Sequence, residues 1–368
     1  MRILHVVPSF GFGGMEKIIC AVIQHTNKNN RHTILALDGD GRALEWIKQS
    51  DVQMLPFTKN GSRRLFFKDL FFALRKAQPN LLMTYNWGST DAIWLGRLAG
   101  ISKIIHHEHG FNIDESISTA WRRDMIRFAV YHLASRIVVV SHELEELLRE
   151  KFKVSEAQIA RIPNGVDASY YSPNEIERQR VRTALGYKSS DLVLGFSGRL
   201  DPVKNLNLLV DILECSNPRN YPFRLLIVGD GPERSHLEDR CHAMGIASYI
   251  NFVGQQTDIL PYLLAMDVFL LTSLREQMPL TVLEAMAVGI PVIASEVGEI
   301  PYMIDDGENG FVRDIKASPE AFVQPLQWLL CPSQRKSLGE SARQKAINHF
   351  QFDAMLRHYA GLIREMSS

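Results

Sequence analysis

The sequence predicts an α/β protein made of two Rossmann-like domains that face a central cleft. Short apolar runs, rich in β-branched residues, alternate with longer segments in which apolar residues recur every three or four positions. Strands that are apolar along their whole length are typical of parallel sheets covered by helices on both faces. At 368 residues the chain is also too long for one ordinary hydrophobic core, which favours two domains.

Candidate strands occur in both halves of the chain. They are RILHVV, HTILAL, LLMTY, KIIHH and RIVVV in the first half, and LVLGFSG, FRLLIVG, INFVG, VFLLTS and PVIAS in the second. Segments between them, such as DLFFALRKA and ELEELLREKF, have helical spacing. Ligands bind such parallel sheets beyond the carboxyl ends of the strands, so the loops that follow the strands are the candidate functional segments.

The composition argues against several classes of protein. Lys+Arg and Asp+Glu number 41 each, so the net charge does not suggest a nucleic-acid-binding protein. No apolar run reaches the roughly 18 residues of a membrane-spanning helix, and the opening MRILHVV predicts a first strand rather than a signal peptide. The four cysteines form no CxxC pair, which favours buried free thiols over a disulfide framework or a zinc site.

The boundary between the two domains is expected within IPNGVDASYYSPNEIERQR. Asn164-Gly165 and Ser172-Pro173 in this segment are turn and breaker signals, and a charged helical stretch follows them. We therefore predict an N-terminal domain over 1–172 and a C-terminal domain over 173–349.

A loop with three glycines, GFGGME, follows the first predicted strand. Gly11 and Gly13 fit the first two positions of the dinucleotide-binding pattern G-x-G-x-x-G. Glu16 occupies the third position, where glycine or alanine normally allows the helix to pack closely on the sheet. The loop could bind a dinucleotide, cradle another phosphate, or form a tight turn without a ligand.

The most specific stretch is SLREQMPLTVLEAMAVGIPVIAS. Pro279 suits the first turn of a helix, Gly289 suits the residue after a helix end, and Pro291 prevents the helix from continuing. These signals predict a helix over about residues 279–288.

This predicted helix brings two carboxylates near a possible anion site. Amides close to Leu280 and Thr281 would lie at the helix N-terminus, where partial positive charge favours a phosphate. Glu276 would precede the helix and Glu284 would lie on it. Ionised carboxylates only accept hydrogen bonds, so sugar hydroxyls are their natural partners beside an anion. The alternative is a solvated Glu276 and a structural Glu284.

Two cations lie in the segment GFSGRLDPVKNLNLLVDI, just after the predicted strand LVLGF. Arg199 and Lys204 could clamp a diphosphate and stabilise it as a leaving group. Taken alone, a loop arginine and lysine are more often solvated surface charges. Their combination with the strand, Gly198 and Pro202 favours a ligand site.

Together these segments resemble the retaining GT-B glycosyltransferases of family 4, also described as glycosyl transferases group 1. The core of the resemblance is an E-x7-E motif in EQMPLTVLE, with the blocks GRLDPVKN, IPNGVD, VGDGP, VGIPVIAS and DGENGF. The ordered set runs through most of the chain and is far more specific than E-x7-E alone. The family often has Gly-Phe after the first glutamate, where this chain has Gln277-Met278, so the transferred sugar stays open.

The resemblance implies roles for matching positions. Arg199 and Lys204 would hold the nucleotide diphosphate, Glu276 the hydroxyls of the transferred sugar, and Glu284 the ribose hydroxyls. The amides from Met278 to Thr281 would contact the phosphates and the base would lie near Val253 and Gly254. The G-G-x-E segment would approach the donor through Gly13 and Gly14. The implied donor-binding positions are therefore Gly13, Gly14, Val253, Gly254, Met278, Pro279, Leu280, Thr281 and Glu284. The helix over 350–368 would pack back on the N-terminal domain, as in similar proteins.

The segment KIIHHEHGFNID contains three histidines. The zinc-protease pattern H-E-x-x-H fails because Phe111 stands where the second histidine is needed. The resemblance instead matches His109-Gly110 to a histidine that contacts the transferred sugar near the reacting carbon. His106 and His107 are interpreted as ordinary core or surface residues.

Asp38-Gly39-Asp40 has the D-x-D form of a metal-binding signature found in a different glycosyltransferase fold. Its position after the second predicted strand favours a turn. In the GT-B interpretation the reaction needs no metal and no other cofactor, because Arg199 and Lys204 supply the positive charge.

Residues 63–76 are apolar on one side and basic on the other. The apolar stripe would be Leu65, Phe66, Leu70, Phe71 and Leu74, surrounded by Arg63, Arg64, Lys68, Arg75 and Lys76. One interpretation is a buried helix of the first domain, and the other is a peripheral membrane contact. A second basic and aromatic stretch, AWRRDMIRFAVYHL, lies nearby in the sequence.

The implied function is transfer of a hexosyl or N-acetylhexosaminyl group, with retention, from a nucleotide-diphosphate donor, foremost a UDP-sugar. The acceptor would be a glycan or lipid-linked glycan of cell-surface polysaccharide synthesis, in the cytoplasm or at the inner face of the cell membrane. Two alternatives remain at this stage. GFGGME with Asp38 could indicate an NAD-dependent oxidoreductase, and the same fold could serve a non-catalytic sugar-nucleotide-binding protein.

Overall fold

A computed structural model describes residues 1–48, 52–58, 61–110 and 120–367. The chain divides into two units. The first comprises Met1–Asn164 and Asp353–Ser368, and the second comprises Gly165–Phe352. The division falls at Asn164-Gly165, which is one of the two turn signals in the boundary segment.

The described residues of the first unit contain a seven-stranded parallel sheet in the order β3-β2-β1-β4-β5-β6-β7. Its strands are β1 (Arg2–Val7), β2 (Arg31–Ala36), β3 (Gln53–Met54), β4 (Leu81–Tyr85), β5 (Ile104–Glu108), β6 (Arg136–Val139) and β7 (Ile159–Arg161). Its helices are α1 (Gly14–Thr26), α2 (Arg63–Ala77), α3 (Asp91–Leu98), α4 (Ala120–Tyr131) and α5 (His142–Glu150).

The second unit contains a six-stranded parallel sheet in the order β10-β9-β8-β11-β12-β13. Its strands are β8 (Leu192–Ser197), β9 (Phe223–Val228), β10 (Ile250–Phe252), β11 (Val268–Leu271), β12 (Val292–Ser295) and β13 (Gly310–Arg313). Its helices are α6 (Glu175–Ala184), α7 (Leu206–Cys215), α8 (Arg234–Ala243), α9 (Leu260–Ala265), α10 (Leu280–Val288), α11 (Ile300–Met303), α12 (Pro319–Trp328) and α13 (Pro332–His349).

Every strand predicted from an apolar run is confirmed, and three further strands were missed. The missed strands are β3, β7 and β13, and each lies at the edge of its sheet. They have two to four residues and are mostly only half-buried. An edge strand pairs on one side only, so it needs no continuous apolar run and gives little periodic signal.

The last helix, α14 (Phe352–Glu365), packs on the first unit. Its Tyr359 ring lies 5.8 Å from the His107 ring of β5, and its Glu365 forms an ion pair with Arg136 of β6. The C-terminal segment therefore covers part of the first sheet.

Buried histidines lie on strands β1, β2 and β5 of the first sheet. His5 Nδ1 lies 2.8 Å from the Tyr85 hydroxyl and His5 Nε2 lies 2.9 Å from His32 Nδ1. The His107 ring stacks on Tyr85 at 4.4 Å. Burial lowers the pKa of His5 and His107 well below the usual range, so both rings are neutral at physiological pH. His106 and His107 are fully buried, in agreement with their interpretation as core residues.

Helix α2 buries a narrower stripe than the sequence suggested. Phe66, Leu70 and Leu74, spaced by four residues, are buried against the core of the first unit. The expectation that Leu65 belongs to this stripe is wrong, since its side chain is 49% exposed. A residue one position before the stripe is rotated by about 100° around the helix, which takes it off the core face.

Within the described residues, none of the helices is long and apolar enough to span a membrane.

The cysteine prediction is correct for two residues only. Cys20 and Cys241 are buried, whereas Cys215 and Cys331 are exposed, and all four are free thiols. Cys215 is the last residue of α7 and Cys331 is the N-cap residue of α13, so both lie at helix ends rather than on a core-facing stripe.

Candidate active site

The loop after β8 positions the two predicted cations. Asp201 Oδ1 accepts a hydrogen bond from the Val203 amide at 3.2 Å, and Pro202 begins a short 3₁₀ turn that ends at Lys204. This turn directs Lys204 inward, with its side chain 20% exposed. Arg199 lies outside the turn, 74% exposed, with its Nε 3.9 Å from Asp201 Oδ2. The structure therefore shows that one cation is partly buried and the other is exposed at the surface.

Lys204 and Glu276 form an ion pair. Lys204 Nζ lies 2.6 Å from Glu276 Oε1, and the Ser273 hydroxyl donates to the same oxygen at 2.7 Å. The contact arises because β11 pairs directly with β8, so the loops that follow these strands are neighbours. Thr272 strengthens this junction by donating its hydroxyl to the Lys204 carbonyl at 3.0 Å. The opposite charges of these two partly buried side chains thereby compensate each other at the carboxyl edge of the sheet.

Helix α10 begins and ends within one residue of the predicted bounds. Pro279 is its N-cap residue, and Gly289 ends it with φ of 85°. From Val282 to Val288 every side chain is buried, which explains why the helix shows no amphipathic pattern. Glu284 is buried with 3% exposure, and its Oε1 accepts a hydrogen bond from the Tyr171 hydroxyl at 2.7 Å.

The positions assigned to the phosphates and the base lie in loops of the same unit and in the first turn of α10. Pro279, Leu280 and Thr281 are half-buried, and the Met278 side chain is buried. Val253 and Gly254 follow β10, and the Gly254 carbonyl accepts a hydrogen bond from the Gly229 amide at 2.8 Å. These positions therefore follow β10 and β11 at the same edge of the sheet as Lys204.

Three glycines allow these loops to pack backbone against backbone. A Cβ atom on Gly229 would overlap the Gly198 carbonyl oxygen, and one on Gly231 would overlap that of Leu200. A Cβ atom on Gly298 would overlap the Glu276 carbonyl oxygen and would lie 2.8 Å from that of Gln277. Gly298 also has φ of 53°, a region that favours glycine. The backbone around Glu276 is thus fixed by a loop that follows β12.

Sequence reasoning missed three residues of this site. Ser273 and Tyr171 contact the two glutamates, and Gly298 supports the backbone of one of them. A glycine shortly after a predicted strand was a detectable signal for Gly298. Tyr171 and Glu284 are 113 residues apart in the sequence, so no local pattern could have paired them.

The G-G-x-E segment of the first unit begins helix α1. Gly13 is the N-cap residue, with extended backbone, and a Cβ atom there would overlap the Glu16 carboxylate. Glu16 is 9% exposed. Desolvation raises the pKa of its carboxyl to about 7, and the nearby charges of Asp40 and Asp38 add to the shift. The carboxyl group of Glu16 folds back over the helix N-terminus, and it can do so only because Gly13 has no side chain.

His109 follows β5 in the first unit. Its backbone amide donates to Asn86 Oδ1 at 2.7 Å, and Asn86 itself has φ of 55°. His109 is half-buried, and desolvation lowers its pKa to about 4. A neutral imidazole can donate one hydrogen bond and accept another, which suits a sugar hydroxyl. Phe111 lies outside the described residues.

Asp38-Gly39-Asp40 forms a turn, as predicted. Asp38 Oδ1 accepts a hydrogen bond from the Asp40 amide at 2.9 Å, and Gly39 has φ of 83°. Asp40 Oδ2 pairs with Arg42 Nη2 at 2.7 Å. In the described part of the chain, no group of three or more His, Cys, Asp or Glu side chains is arranged to hold a metal ion.

Replacing Glu16 should change the pH dependence of stability. The folded pKa of about 7 exceeds the unfolded value of 4.5, so the contribution of this group is complete below pH 4.5 and is lost as the pH rises through 7. The unfolding free energy of Glu16→Gln, relative to that of wild type, should therefore rise when the pH is raised from about 5.5 to about 8. Urea unfolding at both pH values measures this difference. The exposed Glu45→Gln is the control. A constant difference between Glu16→Gln and wild type at both pH values would contradict this assignment.

Replacing Gly298 should be more costly than replacing a glycine with similar backbone. Gly298→Ala and Gly307→Ala share a positive φ, but a Cβ atom on Gly307 meets nothing within 4 Å. We expect Gly307→Ala to lose about 1 kcal/mol of unfolding free energy. Gly298→Ala should lose at least about 2 kcal/mol more, because its Cβ overlaps backbone that cannot move alone. Urea titrations followed by circular dichroism measure both, and equal losses would refute the close approach.

Two family models match the chain. Residues 12–170 match the model described as Glycosyltransferase Family 4, and residues 177–345 match the model described as Glycosyl transferases group 1. Neither match includes the helix α14.

The chain is similar to two curated bacterial enzymes. It is 26% identical over 257 residues to N-acetyl-alpha-D-glucosaminyl L-malate synthase of Bacillus anthracis, covering 70% of this chain and just under two thirds, 66%, of that enzyme. It is 26% identical over 292 residues to UDP-Gal:alpha-D-GlcNAc-diphosphoundecaprenol alpha-1,3-galactosyltransferase of Escherichia coli, covering 76% of this chain and 74% of the relative.

The fold is similar to that of Anabaena Alr3699/HepE in complex with UDP-glucose. The TM-score is 0.83 with 20% sequence identity, and the match covers 99% of this chain and 100% of the other. At this identity the likeness shows the fold, with its two parallel sheets and flanking helices. The two family models together with this likeness show that the chain belongs to the family 4 glycosyltransferases of the GT-B fold.

Proposed function

We propose that this glycosyltransferase retains the anomeric configuration and moves a hexosyl or N-acetylhexosaminyl group from a UDP-sugar to a glycan or lipid-linked glycan acceptor in cell-surface polysaccharide synthesis. The observation that carries the proposal is the Lys204–Glu276 pair beside the N-terminus of α10. Support for the donor class comes from HepE, solved with UDP-glucose, and support for the acceptor from the galactosyltransferase named above.

The Lys204–Glu276 pair suits a diphosphate donor. On donor binding, Lys204 would turn part of its charge toward the phosphates, and Arg199 could swing toward them from the surface. The helix N-terminus at Leu280 and Thr281 adds partial positive charge. These groups would stabilise the negative charge that develops on the departing diphosphate. Glu276, relieved of part of its ion pair, would accept hydrogen bonds from hydroxyls of the transferred sugar.

The proposed reaction is a front-side displacement at the anomeric carbon. The bond from that carbon to the diphosphate oxygen breaks, the bond to the acceptor oxygen forms on the same face, and the acceptor proton passes to the departing phosphate. His109, with neutral imidazole, would bind the transferred sugar, and the Gly13-Gly14 backbone would approach the donor. We infer that Arg199 and Lys204 make a metal ion or another cofactor unnecessary.

The alternatives are not favoured. In an NAD-dependent oxidoreductase, Asp38 would accept hydrogen bonds from a ribose, but its carboxylate instead closes the turn to Asp40. The third position of the dinucleotide pattern is occupied by the buried Glu16 rather than by glycine. A non-catalytic relic on the same fold would tend to lose some of these positions, whereas Arg199, Lys204 and both glutamates are all present.

Nucleotide-dependent stabilisation tests the donor site. We expect UDP to raise the melting temperature of the wild-type chain more than GDP, ADP or NAD, with or without a chelator. A ligand at 100 times its dissociation constant adds about 2.7 kcal/mol to the unfolding free energy. The Arg199→Ala/Lys204→Ala variant should lose this shift relative to its own unliganded state. Lys336→Ala, which removes an exposed lysine of the same unit, should keep it.

Other outcomes contradict the proposal in distinct ways. A shift with NAD alone would favour the oxidoreductase. A UDP shift that disappears with the chelator would refute metal independence. A UDP shift preserved in Arg199→Ala/Lys204→Ala would place the diphosphate elsewhere. Release of UDP from a UDP-sugar in the presence of a lipid-linked glycan then tests turnover.

We also propose that residues 63–76 contact the surface of the membrane. Leu65 and Phe72 are exposed on helix α2. The helix also carries the exposed cations Arg63, Arg64, Lys68, Arg75 and Lys76, and no ion pair joins any of them to an acidic residue in the described part of the chain. Helix α4 adds the exposed Trp121, Met125 and Phe128, spaced by four and three residues on one face. Apolar side chains flanked by cations that form no ion pair within the described residues suit an anionic lipid surface.

Vesicle sedimentation tests this contact. The wild-type chain should bind vesicles containing phosphatidylglycerol more tightly than vesicles of phosphatidylcholine alone. Leu65→Ser/Phe72→Ser should weaken the binding by about tenfold, because the variant lacks two apolar side chains that would move from water into the lipid surface. Ile176→Ser removes a residue that is 86% exposed in the second unit and should have no effect. Equal binding to both vesicle types, or an unaffected double variant, would refute the proposal.

A further inference from the structure

Tyr171 lies in a turn near the start of the second unit. Asp167 Oδ1 accepts hydrogen bonds from the backbone amides of Ser169 at 3.0 Å and Tyr170 at 3.1 Å. The Tyr171 amide in turn donates to the Asp167 carbonyl oxygen at 2.8 Å. These bonds fix the backbone from Asp167 to Tyr171, although the segment has no helix or strand.

A single arginine holds this turn against helix α10. Arg343 of α13 donates to the carbonyl oxygens of Tyr171 at 3.0 Å and Ala168 at 3.2 Å. Its guanidinium also donates to the carbonyl oxygen of Ala287, near the end of α10. The planar fork of an arginine can satisfy several carbonyl oxygens at fixed angles. Arg343 therefore holds the backbone of Tyr171 near α10 through contacts that do not involve the Tyr171 side chain.

The Tyr171 hydroxyl reaches the carboxylate of Glu284. The distance from the hydroxyl to Glu284 Oε1 is 2.7 Å, and Glu284 is 3% exposed. Burial, followed by the charge of Glu284, raises the pKa of the Tyr171 phenol far above its ordinary value, so the phenol stays protonated and donates. A hydrogen bond from a neutral donor to a buried carboxylate is short and strong, and it restricts rotation of the carboxylate.

We propose that Tyr171 is a positioning residue, which holds the Glu284 carboxylate in the orientation that accepts hydrogen bonds from the donor's ribose hydroxyls and so sets a preference for ribonucleotides. The inference rests on the proposed function and on the ribose-binding role that the family resemblance implies for Glu284. A carboxylate oxygen can accept more than one hydrogen bond, so the bond from Tyr171 does not exclude a ribose contact. Without the phenol, the carboxylate would have to be oriented when the nucleotide binds, which costs affinity.

The neighbouring tyrosine supplies a matched control. Tyr170 packs edge-on against Tyr171 with ring centres 5.0 Å apart, and its side chain is 47% exposed. Tyr171→Phe keeps the ring and this packing but removes the hydrogen bond to Glu284. Tyr170→Phe removes a hydroxyl one residue away and leaves that hydrogen bond in place.

Calorimetric titration of the full chain tests the inference, with UDP, 2′-deoxy-UDP and 3′-deoxy-UDP as ligands. Wild type should bind UDP more tightly than at least one deoxy analogue, and Glu284→Gln should lose this preference. Tyr171→Phe should weaken UDP binding by about tenfold, and should weaken binding of the discriminated analogue by less than about twofold. Tyr170→Phe should match wild type for all three ligands. Melting temperatures of the unliganded variants show whether each one folds.

The possible failures are distinguishable. If Tyr171→Phe weakens the binding of all three ligands equally, the role of the Tyr171 hydroxyl is structural and the inference is overturned. If Tyr171→Phe keeps the full preference while Glu284→Gln loses it, only the positioning role is overturned. If Glu284→Gln keeps the preference, or wild type shows none, the ribose role of Glu284 and the inference both fail. If wild type does not bind UDP, the proposed donor class itself is wrong.

Discussion

The candidate site depends on the close approach of backbone segments at the carboxyl edge of the second sheet. Gly229, Gly231 and Gly298 each leave no room for a Cβ atom against a neighbouring loop. Loops packed backbone to backbone have little freedom, so the side chains they carry are held in place before a ligand binds. The positions of Lys204 and Glu276 follow from this packing rather than from the side chains themselves.

The two glutamates of the E-x7-E motif are held by different partners, which matches their proposed roles. Glu276 is paired with the cation Lys204 and accepts from Ser273, so its charge is compensated but can be redistributed when an anion arrives. Glu284 is buried deeper and accepts from the neutral Tyr171 hydroxyl, so its charge stays available for a neutral, hydroxyl-rich ligand. The loop before α10 and the helix itself therefore offer two carboxylates in different electrostatic surroundings.

In the first unit, burial controls protonation. Desolvation lowers the pKa of His109 to about 4 and raises the pKa of Glu16 to about 7, so close to pH 7 the His109 imidazole is neutral and the Glu16 carboxyl is about half protonated. A neutral imidazole and a partly protonated carboxyl at the carboxyl edge of this sheet suit contact with sugar hydroxyls better than contact with phosphates. This difference supports the proposal that the cations of the second unit bind the diphosphate.

The sequence by itself determined the central strands, the bounds of α10, and the loops that carry Arg199 and Lys204. These features depend on local periodicity and on proline and glycine at helix ends, which act over a few residues. Only the tertiary structure decided that Lys204 pairs with Glu276, 72 residues away, and that Tyr171 contacts Glu284. Such contacts depend on which strands become neighbours and which loops then meet. The periodicity of the sequence does not specify which strands and loops become neighbours. Once two such side chains are buried together, a charge without a partner would cost free energy, and this favours the observed contacts.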